Sequence, residues 1–219
     1  MFIKRKDIDI EKILVGAEFL GSGASKEAYL KDGIVYKVPR GRYVLARAGF
    51  GTEIEYPDTM ADVDSFLEKV CDYEEQLVWP LGQFAIEILV WEALQALEKE
   101  GVKLEHFARI KDYYIDKNGV IVIEQEATDG GYSAWEEAEN KNGDIWGALL
   151  NEINHLEPIL KERFNISLRD VRDGNAGIID GRAVLFDFGI STTTSLDDYG
   201  SYSDYCDDCC DSYDDEGSY

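Results

Sequence analysis

The chain has 219 residues, 45% of them hydrophobic, and its 45 acidic against 22 basic side chains leave a formal net charge of −23. A chain of that length can bury about 70% of its unfolded surface in one domain, and its charge excludes nucleic-acid binding through a broad basic face while favouring basic partners. No apolar run approaches the ~20 residues that span a bilayer, and Met1 to Lys6 lacks the apolar core of a signal peptide, so no membrane contact and a cytoplasmic location are expected.

The first pattern along the chain is a glycine-bearing turn. Phe19 to Tyr29 sets Gly21, Ser22, Gly23 and Ala24 between apolar flanks, as expected for two strands joined over a nucleotide's phosphates. Lys31-Asp32-Gly33 predicts a hairpin turn, and Ile34 to Val38 predicts a third strand with Lys37 in its middle. A lysine in a buried strand needs a partner, and phosphates together with a helix glutamate would provide one. Residues 41–80 read as an insertion, with Arg40, Arg42 and Arg47 near its start and a helix over Met60 to Leu77 that carries Phe66, Leu67 and Val70 on one side. Padding of the small lobe and partner docking are both open to it.

Gln83 to Glu100 predicts a helix in which Glu87 and Glu92 stand among apolar residues. Five positions separate them, about 140° around a helix, so both cannot face one lysine. Phe107 to Ile115 and Val120 to Ile123 then flank Asp116-Lys117-Asn118-Gly119, a strong hairpin signal. Ile145, Leu149, Ile153, Leu156 and Leu160 recur at helical spacing and predict one long core helix. Asn175 to Ile179 and Ala183 to Phe186, joined at Asp180-Gly181, predict a last hairpin.

The chemistry concentrates around that hairpin. Leu168 to Asn175 reads Leu-Arg-Asp-Val-Arg-Asp-Gly-Asn, and after eleven intervening residues Asp187 opens an Asp-Phe-Gly triplet. Phosphoryl transfer needs little covalent help; it needs carboxylate and amide oxygens on Mg²⁺ and one carboxylate to orient the attacking hydroxyl. Asp170, Asn175 and Asp187 are residues of those types. The ordered set of glycine turn, strand lysine, Asp-x₄-Asn and Asp-Phe-Gly resembles the protein kinase superfamily from about Phe19 to Gly189. In its compactness the chain looks like the serine/threonine kinases encoded by T7-like bacteriophages. It departs from the family pattern at Lys26, which holds the third glycine position, and at Leu168, where histidine is usual.

The resemblance implies an α+β, bilobal, protein-kinase-like fold. Its N-lobe would cover 1–126, its reduced C-lobe 127–195 and a disordered acidic tail 196–219. ATP and Mg²⁺ would be the ligands, with Asp170 as catalytic base, Lys37 on the α and β phosphates, and Asn175 and Asp187 on the metal ions. Gly21, Ser22, Gly23 and Ala24 would lie over the phosphates. Family spacing to the following strand favours Glu92 over Glu87 as the partner of Lys37. Glu124, Gln125 and Glu126 would form the hinge whose backbone pairs with adenine, and Ile123 would guard the back of the pocket. After Gly189 no Ala-Pro-Glu-like anchor and no substrate-docking helices can be found, which leaves substrate recognition open.

From Asp197 to Tyr219 there are nine acidic residues and no basic one. Ser195, Ser201 and Ser212 each precede an aspartate by three, and Thr192, Thr193 and Thr194 follow the Asp-Phe-Gly triplet, so self-phosphorylation and a plain solubilising extension compete. Cys206, Cys209 and Cys210 lack a well-spaced fourth metal ligand, and with Cys71 they make no disulfide framework, which fits reducing cytoplasm, the host's if the chain is phage-encoded. Three functions follow. The first is an ATP-dependent serine/threonine-type kinase acting on a basic or host-derived protein. The second is a small-molecule phosphotransferase of the aminoglycoside-kinase kind, and the third an acidic binding protein that keeps the fold and occupies a basic partner.

Overall fold

The computed structural model describes residues 3–23, 25–39, 75–168, 171–188 and 191–192, with side chains from 83 onward in the helix that starts at 75 and none for 191–192. Ala24, Asp170, the 41–80 insertion up to 74 with its expected helix from Met60, and the 196–219 tail lie outside the described residues.

The described residues form a mixed α+β structure. In chain order they are α1 (Ile10–Leu14), β1 (Glu18–Ser22), β2 (Lys26–Lys31), β3 (Ile34–Pro39), α2 (Glu75–Lys99), β4 (Ile110–Ile115) and β5 (Ile121–Glu126), then α3 (Tyr132–Asn142), α4 (Ile145–Phe164), β6 (Ser167–Leu168), β7 (Ala176–Ile179), β8 (Arg182–Leu185) and β9 (Ser191–Thr192). A five-stranded antiparallel sheet runs β1-β2-β3-β5-β4, and β7 with β8 and β6 with β9 make two-stranded ladders.

Local chemistry explains the hairpins. Asp32 (φ 51°) and Gly33 (φ 74°) join β2 to β3, and Asp180 (φ 49°) and Gly181 (φ 74°) join β7 to β8. Two successive positive φ values match the right-handed twist of the strands they connect, and Asp-Gly tolerates them. Between β4 and β5 only Gly119 (φ 87°) is left-handed. There the Asp116 carboxylate accepts hydrogen bonds from the amides of Asn118 and Val120 at 2.8 Å each and from Ile10 at 3.2 Å, so a buried side chain fixes a longer loop.

Each face of the sheet has its own cover. Ile10 and Leu14 of α1 pack with Tyr36, Val38, Tyr114 and Val122 on one face. On the other, α2 is buried nearly all round from Phe84 to Leu97, as a helix apolar on every side must be. Its cluster continues through Ile121 and Ile123 to α4, β8 and Phe188. All five residues expected on the core face of α4 are buried, and Asp144 caps that helix by accepting from the Gly147 amide at 2.7 Å. No described helix is long and apolar enough to cross a membrane.

Two strand limits differ from expectation. Phe107 does not open β4; it bridges to Leu185 instead, and β4 starts at Ile110. β5 continues to Glu126, so the expected hinge 124–126 is strand, with Glu124 registered against both Tyr36 and Asp112.

Candidate functional site

A cleft of about 450 Å³ lies between the glycine turn and the start of β7. Gly21, Ser22 and Gly23 form its roof, Lys37 of β3 enters from the sheet, and Asn175 and Asp187 line the opposite side. The turn is closed by the Gly23 amide, which donates to the Lys26 carbonyl at 2.8 Å. A methyl group added at Gly21 would touch nothing within 4 Å.

Lys37 is buried. Its Nζ donates to Oε1 of Glu87 at 2.5 Å and to the Phe186 carbonyl at 2.6 Å. Glu87 comes from α2 and has no exposed surface. Its other oxygen, Oε2, takes a hydrogen bond from Lys26, the first residue of β2. Lys26 also donates to Oδ1 of Asp187 at 3.0 Å, closing a cluster of two lysines and two carboxylates. Burial disfavours the Lys26 ammonium, but the charges of Glu87 and then Asp187 outweigh it and hold its pKa above the ordinary lysine value.

The helix glutamate of Lys37 is therefore Glu87 and not Glu92. Glu92 lies on another side of α2 and accepts the hydroxyl of Tyr113 from β4. Spacing along the chain could not decide between them, because the number of residues to the next strand carries no information about which way a helix is rotated. Glu124 is also corrected as a cleft residue. Gln125 and Glu126 line the cleft, whereas Glu124 lies outside its lining and accepts the Tyr114 hydroxyl at 2.9 Å beside Tyr36. Gln125 is buried and lines the cleft with its register partner Val35, whereas Ile123, expected to guard the back of the pocket, is registered against Lys37 and is not among the lining residues. Glu126 donates its amide to the Arg109 carbonyl at 2.9 Å, so its backbone is already engaged. The chain leaves the sheet at Ala127 and Thr128 before Asp129 pairs with Ile178.

Asn175 and Asp187 are held together by their backbones. The Asn175 carbonyl accepts the amides of Phe186 at 2.9 Å and Asp187 at 3.3 Å. A carboxylate and an amide oxygen on one wall suit Mg²⁺, which takes one or two protein ligands and completes its octahedron with phosphate oxygens and water. Among the described residues no group of three or more histidine, cysteine, aspartate or glutamate side chains could hold a metal without such help. Glu87 was the second choice of the sequence reading, and the role of Lys26 was missed although its position had been noted. The available signal was a lysine standing where the glycine pattern asks for its third glycine.

No protein-family model and no curated protein matches the chain.

Proposed function

We propose that the chain is an ATP-dependent protein kinase of the serine/threonine type, with a bilobal protein-kinase-like fold of the compact kind encoded by phages. The observation that carries this reading is the buried Lys37–Glu87 pair, which opens into the same cleft as Asn175 and Asp187 beneath a glycine turn. The cleft's size is that of a small-molecule pocket.

In this reading the adenine edge meets the backbone at Ala127 and Thr128, where sheet pairing stops. Lys37 contacts the α and β phosphates, and Glu87 keeps its ammonium aimed into the cleft. Asn175 and Asp187 would hold Mg²⁺, which when bound neutralises charge on the β and γ phosphates. Asp170 orients the acceptor hydroxyl and takes its proton. The hydroxyl oxygen bonds to the γ phosphorus, the bond from that phosphorus to the β–γ bridging oxygen breaks, and ADP leaves.

The test is incubation of the purified chain with γ-labelled ATP and Mg²⁺, alone and with a cell lysate. Labelled protein is expected, including self-labelling if Thr192 to Ser203 are acceptors. Asp170→Ala should cut transfer by about 10²–10³. Label appearing only on a small molecule would favour the phosphotransferase reading. Absence of transfer would favour an acidic binding protein, the reading to which the net charge of −23 lends weight.

A further inference from the structure

Lys26 is an unusual occupant of its position. It sits directly behind the glycine turn, at the first residue of β2, and its side chain is only 8% exposed although it lines the cleft. Its ammonium lies 5.9 Å from the Phe84 ring centroid and is shared between Glu87 and Asp187. Lys37 uses the same Glu87 from the other side, so one fully buried carboxylate serves two buried cations.

The charge balance of this cluster depends on Asp187. With Asp187 in contact, two lysines meet two carboxylates. If Asp187 turns to a metal ion, the two ammonium groups keep only Glu87 between them, and a buried cation without a full counter-charge is costly. The cleft offers the missing anion an entry, and Lys26 borders it at the turn where phosphate oxygens would lie.

We propose that Lys26 is a second phosphate-binding cation of this site: it neutralises Asp187 while the cleft holds no nucleotide and moves its charge-assisted hydrogen bond to a polyphosphate oxygen when nucleotide and metal enter. This rests on the nucleotide-binding reading above and adds to it a ligand residue at the third glycine position. It also makes Lys26 the competitor that a metal ion must displace from Asp187.

An acyl-phosphate derivative of ATP tests this on the unmodified full chain. The reagent's mixed anhydride is attacked by a lysine amine beside the phosphates; an amide forms on that lysine, the acyl–phosphate bond breaks, and ATP departs. Peptide mass spectrometry should find the acyl group on both Lys26 and Lys37, suppressed by excess ATP. Labelling of Lys37 alone overturns the proposal and leaves the nucleotide reading standing. Labelling of neither lysine overturns both. In equilibrium binding, Lys26→Met should weaken ATP affinity about tenfold or more, the range of a lost charge-assisted hydrogen bond, with Lys26→Arg retaining most of it. Equal affinity in wild type and Lys26→Met overturns the proposal, and should Lys26→Met not fold, the labelling pattern decides.

Discussion

Glu87 has no exposed surface and its two oxygens face two ammonium groups, so removal of its charge leaves a pair of buried cations facing one neutral amide. Glu87→Gln is predicted to destabilise the fold by about 3–5 kcal/mol, the range for breaking a buried ion pair from one side. Glu92→Gln, which weakens only the hydrogen bond from Tyr113, should cost about 1 kcal/mol. Urea unfolding of the two variants compares them directly, and equal losses would contradict the assignment of Glu87. At this scale the residues in fixed motifs were legible. Lys37, Asn175, Asp187 and the two glycines line one cleft, because a motif fixes residue type and local spacing together. Glu87 and Lys26 were not legible, since their roles depend on how α2 is rotated against the sheet.

Hairpins were the elements easiest to read. Asp32-Gly33 and Asp180-Gly181 encode their positive φ values within two residues, and no tertiary contact is needed to choose them. The end of β5 was harder to read, because Glu124, Gln125 and Glu126 are held in strand by partners on β3 and β4 that are distant in sequence. The neighbouring strand β4 carries a pH dependence. Burial, and then the carboxylates of Glu92 and Glu124, push the Tyr113 and Tyr114 hydroxyls above their ordinary value of 10.0. The folded state therefore holds these protons more tightly than the unfolded chain. Their stabilisation is complete below pH 10 and is lost as pH rises from there toward the folded-state values, at up to about 1.4 kcal/mol per pH unit for each tyrosine. Urea melts between pH 8 and 11 should show this decline, and Tyr114→Phe should make it shallower. An equally steep curve for the variant would remove Tyr114 as a cause.

Across the whole molecule, one apolar cluster runs from α2 through the sheet to α4, β8 and Phe188, so the two walls of the cleft share a core. Sequence periodicity predicted the helices of that core but could not order the strands around them, since strand order follows from long-range pairing. Millimolar Mg-ATP is predicted to raise the melting temperature, because a ligand held only by the folded state stabilises it by mass action. Asp187→Asn should remove the metal-dependent part of the rise, and an unchanged melting curve in the wild type would count against nucleotide binding. The small ladder between β6 and β9 has a topological result. By pairing Leu168 with Ser191, it closes the chain between them into a ring that contains both Asn175 and Asp187. Closing such a ring has an entropic cost that grows only slowly with its length, and opening its clasp loosens the stretches next to it while β7 and β8 stay packed in the shared core. Native-state hydrogen exchange should accordingly find the amides of Phe186 and Asp187, which bind the Asn175 carbonyl, opening together with the ladder as one cooperative unit.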